Sequence, residues 1–221
     1  MLRREPLVTD EVYHIYNRGS HKADIFKSNA DRERFLRLLY VCNGTAPVVS
    51  RDIPIGRSYV FERGERLVDI GAYCLMSNHF HLMIRERAEN GITVFMKKVA
   101  TAYSMHFNAK YEHSGTLFQG RFKSRLVDNE AYLNWLFSYI HLNPVKVIDP
   151  RWKETGITDE GGAEKYIERY KYSSYHDYFV GSRSEGAILN KESFPDHFND
   201  LNGFTDVVGE WRSAKDGPMY T

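Results

Sequence analysis

The sequence predicts an α+β fold in which a four-stranded antiparallel sheet carries two helices and is followed by a third helix and an appendage. Three observations predict it. Apolar residues recur at period two in some segments and at helical spacing in others, these segments follow the order β-α-β-β-α-β-α, and only two residues separate two of the strand-like runs. A chain of 221 residues, 42% hydrophobic and 14% aromatic, suits one globular domain with an appendage and not a disordered or fibrous protein.

The elements follow in turn. Val12-Tyr-His-Ile-Tyr alternates and then reaches Asn17-Arg-Gly, the pattern of a strand ending in a turn. From Asn29, the expected cap, a helix places Phe35, Leu38, Leu39 and Val41 on one face and charges on the other. Residues 43–66 mix Gly, Pro, Ser and charge without helical period, which predicts an inserted loop with a short hairpin around Tyr59-Val-Phe. Ile70-Gly-Ala-Tyr-Cys-Leu-Met and His79-Phe-His-Leu-Met-Ile, split by Ser77 and Asn78, predict a tight hairpin. Beyond Asn90, the residues Ile92, Phe95, Met96, Val99, Tyr103 and Phe107 mark an amphipathic helix that ends before Gly115. Leu117-Phe-Gln-Gly-Arg-Phe-Lys-Ser-Arg-Leu-Val predicts a fourth strand with an internal glycine. Asp128 or Asn129 then caps a third helix, which runs to Asn143 and is stopped by Pro144.

Without its third helix, this order is the ferredoxin-like split βαβ, with two helices on one face of the sheet. Residues 1–150 form the expected domain, with 43–66 as its inserted loop. Residues 151–221, polar and rich in tyrosine, form a C-terminal appendage packed on it, with the last residues expected to lack order. A net charge of +1 excludes a uniformly basic coat, so any basic surface must be local. Cys42 and Cys74 have no CxxC spacing, which excludes a zinc knuckle or thiol redox pair and leaves buried reduced thiols. No apolar run approaches the roughly 20 residues of a bilayer span and no secretory signal opens the chain, so the expectation is a cytoplasmic protein without a membrane partner.

Chemistry has three candidate seats. Residues i and i+2 of a strand share a face, so His79 and His81 can offer two imidazoles to one metal ion; the alternative is a pair of solvent-facing or hydrogen-bonded histidines. On the third helix Tyr139 and Asn143 are one turn apart and share a face with Tyr132 and Leu136. Alone, that pair reads first as a core aromatic and a helix-ending amide and only second as functional groups. Between these motifs, residues 97–125 carry Lys97, Lys98, Lys110, Arg121, Lys123 and Arg125 against the single acid Glu112. Arg121, Lys123 and Arg125 alternate along the expected fourth strand and would project together beside aromatics, as for phosphate contact with stacked bases or as edge protection. Arg18, at the end of the first strand, completes the set of candidate phosphate contacts.

Four ordered motifs resemble one family: Tyr13-His-Ile-Tyr-Asn-Arg-Gly, Ala72-Tyr-Cys-Leu-Met-Ser-Asn-His-Phe-His-Leu-Met-Ile, Ser114-Gly-Thr-Leu-Phe-Gln-Gly-Arg-Phe-Lys-Ser, and Tyr139-Ile-His-Leu-Asn-Pro-Val. Over about residues 12 to 180 the chain resembles the single-tyrosine HUH transposases, in particular the REP-associated tyrosine transposase branch of the IS200-like group. It departs from the pattern at Ser77, where a proline usually precedes Asn-His, at Lys171-Tyr, where Arg-Trp is usual, and in the longer loop at 43–66.

The resemblance implies that His79 and His81 are metal ligands, that Asn143 completes the metal site, and that Tyr139 is the nucleophile. It further implies magnesium or manganese as the ion, single-stranded DNA beside a hairpin as the substrate, a 5′-phosphotyrosine intermediate with a free 3′-hydroxyl, and a monomer in preference to a dimer. Imidazole-rich donor sets by themselves favour zinc and its neighbours, which makes manganese the compromise. Two rival readings share the fold: a domesticated nucleic-acid binder that no longer cleaves, and a metal-dependent nuclease that uses water.

Overall fold

The computed structural model describes residues 6–48 and 53–200. Its sheet has four antiparallel strands in the order β2-β3-β1-β4: β1 Val12–Arg18, β2 Val68–Leu75, β3 His79–Glu86 and β4 Lys123–Leu126. With helices α1 Asn29–Val41 and α2 Gly91–Tyr111 between strands and α3 Glu130–Leu142 after them, the expected ferredoxin-like order holds.

Period-two alternation divides the sheet's two faces. Tyr13, Ile15, Phe80, Leu82 and Ile84 join Phe35, Leu38 and Leu39 of α1 and Phe95, Val99 and Tyr103 of α2 in one core. Val12, Ala72, Cys74 and Met83 point the other way, into a second core with Tyr132, Leu136, Phe137 and Ile140 of α3. Every residue of β2 is buried because both of its faces are covered. Gly71 interrupts β2 at a register shift, and a Cβ there would lie 2.7 Å from the Phe194 ring, so the glycine lets that ring lie on the strand.

Some local expectations change. The cap of α1 is Ser28, not Asn29: Ser28 and Asp31 form a reciprocal capping box, which a following Asp supplies and Asn29 cannot. The stretch around Tyr59 is a 3-10 turn, Ile55–Val60, and not a hairpin; Tyr59 packs against Tyr40 of α1 instead of pairing with a strand. The fourth strand is shorter than its apolar pattern, since Gly120 turns at φ +75° and leaves only an isolated bridge between Gly19 and Phe118 upstream. Asn129 caps α3 by accepting from the Tyr132 N–H. Both cysteines are buried and free.

The appendage is helical where described: α4 Trp152–Thr155, α5 Glu160–Arg169 and α6 Tyr175–Phe179, with 3-10 turns beyond. Trp152, Ala163, Ile167, Tyr175 and Phe198 bury the outer side of α3, the Phe198 ring stacking on Phe137 at 4.0 Å. Its chain also runs along the free edge of β2, where the Leu75 N–H donates to the Tyr172 carbonyl and Cys74 bridges Ser173. The expected disorder of the last residues concerns 201–221, which lie outside the described residues. Among the described residues, no helix is long and apolar enough to cross a membrane.

Candidate active site

The α3 face of the sheet gathers the candidate residues. Because Phe80 and Leu82 point into the α1/α2 core, His79 and His81 must point towards α3, and their rings meet perpendicular at 5.0 Å. Register sets Tyr16 opposite His81 and Arg18 opposite His79. From β1, His14 reaches diagonally to His81, with its Nε2 2.8 Å from His81 Nδ1. Tyr139 arrives from α3: its ring stacks on Trp135 one turn earlier at 4.7 Å, and stands edge-on to His81 at 5.3 Å and to His14 at 6.0 Å. Asn143, the C-cap of α3, is buried, and its amide donates to the Tyr139 carbonyl at 2.7 Å. Tyr139 and the histidine pair, read separately in the sequence, are therefore neighbours.

Electrostatics keep these groups neutral. Burial, helped by Arg125 and Lys153, pushes His14 down to about 3; burial, Lys146, Lys153 and Arg18 bring His79 to about 4. His81 lies well below the usual histidine range, chiefly from burial, with His14 and His79 adding to it. Burial raises the Tyr139 phenol, while Asn143 and Lys146 work to lower it. Lys153, at the start of the appendage, donates from Nζ to the Tyr139 Oη at 2.9 Å and lies 4.2 Å from the ring centre. Desolvation brings Lys153 down to about 8; because the residue as a whole is exposed, this is crowding at its ammonium end and not burial of the side chain.

The imidazoles suit a metal ion on the pattern of their hydrogen bonds. His79 Nδ1 lies 2.6 Å from Asn78 Oδ1, an acceptor, so its proton sits on Nδ1 and Nε2 keeps the lone pair. Asn78 is itself held, its amide donating to the Lys22 carbonyl. His81 uses Nδ1 towards His14, which again leaves Nε2 free to ligate. Two neutral imidazoles with Nε2 available fit a divalent ion, and the amide bond of Asn143 through its nitrogen leaves the oxygen as the donor of choice. Among the described residues, no group of three or more His, Cys, Asp or Glu is placed to hold a metal, so an oxygen from an amide or from phosphate has to complete any such site.

The basic residues divide between two faces. Lys123 and Arg125 pair across strands with Tyr16 and His14, so they share the face of the histidines, and Arg125 lies over the Tyr132 ring at 5.0 Å. Arg18, beside His79, donates to Gln119. Arg121 precedes β4 and does not continue its alternation. Lys97 and Lys98 lie on α2, across the sheet from Tyr139; Lys98 donates to the Gly44 and Ala46 carbonyls, and Lys110 pairs with buried Asp31 at 2.6 Å. The continuous strip expected over 97–125 is therefore not one surface. A groove of about 1400 Å³ between α2 and the β1/β4 edge is lined by Lys97, Arg121, Phe122, Lys123 and Tyr16, and not by Tyr139, His79, His81 or Asn143.

Sequence reasoning missed His14 and Tyr16, whose alternation with Tyr13 and Ile15 signalled a shared face, and Trp135, one turn before Tyr139. Lys153 gave no signal at all.

Comparison with known proteins comes down to one family match. Residues 63–143 match the family described as Transposase IS200 like, a span holding His79, His81, Tyr139 and Asn143 but neither His14 nor Lys153. No curated protein matches the chain. Among solved structures it is similar to a REP-associated tyrosine transposase bound to a REP hairpin, at 14% identity and a TM-score of 0.47, covering 84% of this chain and 89% of that one. It is also similar to the tRNA(His) guanylyltransferase of Saccharomyces cerevisiae, at 13% identity and a TM-score of 0.34, covering 89% of this chain and 86% of that one. The stretch that holds the central strands and the helix bearing Tyr139 is thus the part of this chain that is similar to IS200-like transposases.

Proposed function

We propose that the protein cleaves single-stranded DNA and transfers strands through Tyr139. One observation carries the reading: a tyrosine on α3 stands edge-on, 5.3 Å between ring centres, to the second of two histidines whose Nε2 atoms are left for a metal ion. His79, His81 and the side-chain oxygen of Asn143 would hold the ion, magnesium or manganese. When bound, it neutralises charge at the scissile phosphate.

The chain's residues do the rest. The Tyr139 oxygen bonds to phosphorus as the bond to the 3′ oxygen breaks, which leaves a 5′-phosphotyrosine and a free 3′-hydroxyl. Trp135 and Asn143 fix the attacking side chain: one stacks on its ring, the other bonds its carbonyl. Arg18, Lys123 and Arg125 border the histidine face and would meet the phosphates of a single strand, with a hairpin beside it, while Lys97 and Arg121 would serve bases or phosphates in the groove across the sheet.

Denaturing electrophoresis with a labelled single-stranded oligonucleotide and manganese tests this. A covalent protein-DNA band is expected from the wild type and not from Tyr139→Phe, which keeps the ring and loses the oxygen; DNA affinity should change by less than about twofold. Cleavage without a covalent band would identify a water-using nuclease, and binding with neither would identify a non-catalytic binder.

A further inference from the structure

A tyrosine that attacks phosphorus must lose its proton, and it must regain one when its oxygen later departs. With an ordinary pKa near 10, raised further by burial, the Tyr139 phenol does not ionise unaided at neutral pH. Histidine is the usual helper, but here His14 and His81 engage each other at 2.8 Å, with their rings nearly perpendicular to that of Tyr139. Among the described residues, a basic side chain that reaches the phenolic oxygen is Lys153, with its Nζ at 2.9 Å.

Its delivery is built into the fold. Pro144 ends α3, the 3-10 turn Asn143–Val147 reverses the chain, and Trp152, buried beside α3, anchors the short helix that carries Lys153 back over Tyr139. Positive charge gathers here: Lys146 acts on Tyr139, and Lys146 and Lys153 both act on His79 and His81. Among the described residues, the Lys153 ammonium meets the Tyr139 oxygen and the faces of the Tyr139 and Trp152 rings.

We propose that Lys153 is the proton partner of Tyr139, a catalytic residue whose neutral amine takes the phenolic proton during cleavage and whose ammonium returns a proton to the departing phenolate oxygen during strand joining. A single N···O contact serves both directions, since one proton lies between the two atoms in either state. In cleavage the Oη–P bond forms and the P–O3′ bond breaks; the phenolic proton moves to Nζ, the 3′ oxygen takes a proton from water, and the hydroxide re-equilibrates with the ammonium through solvent. In joining, the incoming 3′-hydroxyl gives its proton to solvent, its oxygen bonds to phosphorus, the P–Oη bond breaks and Nζ protonates the tyrosine oxygen. The crowding that lowers Lys153 to about 8 keeps a useful share of both forms near neutral pH. This inference rests on Tyr139 being the nucleophile.

The test compares wild type, Lys153→Met and Lys153→Arg in two measurements: the rate of covalent-band formation with manganese across pH, and the ¹³Cζ NMR signal of Tyr139 titrated without DNA or metal. Lys153→Met should slow band formation by about 100-fold near neutral pH, with the deficit shrinking as pH approaches the phenol's own ionisation. Lys153→Arg should not restore the rate, because a guanidinium keeps its proton over this range. The Tyr139 signal should step near pH 8 in the wild type, and that step should vanish in both variants. A Lys153→Arg protein with wild-type rate and pH profile would overturn the proposal, as would a Lys153→Met rate within about threefold of wild type. Should Lys153→Met fail to fold, the arginine variant and the NMR titration still decide. A covalent band from Tyr139→Phe would instead overturn the nucleophile assignment, which separates the two failures.

Discussion

Acidifying the protein from about pH 7.5 to about pH 5 should remove several kcal/mol of folding stability, well before its carboxylates protonate. His14, His81 and His141 are all buried, and burial is the chief cause that holds each of them neutral in the folded state, His14 and His141 down to about 3 and His81 well below the usual range. The sign follows from the direction of these shifts. The folded imidazoles are depressed, so the unfolded chain binds the extra protons; their contribution is present above the ordinary value of 6.5 and is lost as pH falls towards the folded values. At about pH 5 a histidine that stays neutral only when folded costs RT ln(1 + 10^1.5), or about 2 kcal/mol. Three such groups, two of them sharing a hydrogen bond, give about 4–6 kcal/mol against a total stability on the order of 5–15 kcal/mol. Asp31 acts in a lower window: burial works to raise it, hydrogen bonds from Lys110, Tyr111 and Ser28 outweigh that, and its contribution fades only as pH falls below 3.8. Urea unfolding followed by tryptophan fluorescence at a series of pH values measures the effect. His141→Gln, at a ring bonded to Ser174 and not to the histidine pair, should recover about a third of the loss. A urea midpoint that is flat from about pH 7.5 to pH 5 would refute the reasoning.

Two further outcomes follow from the geometry. Asn143→Ala should raise the manganese concentration needed for half-maximal covalent band, whereas Asn143→Asp keeps an oxygen for the ion but sets a carboxylate against the Tyr139 carbonyl and should lower folding stability by about 1–3 kcal/mol. An unchanged manganese titration in the alanine variant would leave Asn143 a structural role alone. Removing Lys123 and Arg125 together should flatten the dependence of log affinity on log salt by roughly 1 to 2, while Lys98→Ala, whose ammonium is turned to backbone carbonyls, should leave the slope unchanged; equal slopes in all three proteins would mean that the histidine face does not meet phosphate.

What could be read from the sequence was what has a period. Alternation put His79 and His81 on one face, and the four-residue spacing of Tyr139 and Asn143 put them on one helix stripe. Whether two such faces meet depends on register and helix docking, which no local pattern encodes, and that is why the pairing of Tyr139 with His81 needed the structure. His14 was visible as a polar residue on an alternating strand, but its reach to His81 depends on β1 pairing with β3 at Tyr16 opposite His81. The cation strip divides for the opposite reason: charges close in sequence were grouped as one surface, whereas Lys97, Arg121 and Lys123 line the groove, Arg125 lies over Tyr132, and Lys98 and Lys110 turn to Gly44, Ala46 and Asp31. Lys153 was beyond sequence reasoning because a four-residue helix in a polar stretch carries no periodicity to place it.

The segment that lies along the edge of β2 has a consequence for how the protein comes into being. Leu75 and Cys74 find their outer partners only at Tyr172 and Ser173, and the outer side of α3 is closed by Ile167, Tyr175 and Phe198. On a ribosome these residues emerge after every candidate site residue from His14 to Lys153. A nascent chain released early, or a product cut at residue 150, would expose a strand edge and an apolar helix, which are the features by which β proteins aggregate. It would also lack the helix that brings Lys153 to Tyr139. Synthesis order thus acts as a safeguard, since a truncated chain carries Tyr139 and the histidine pair without the segment that completes their surroundings.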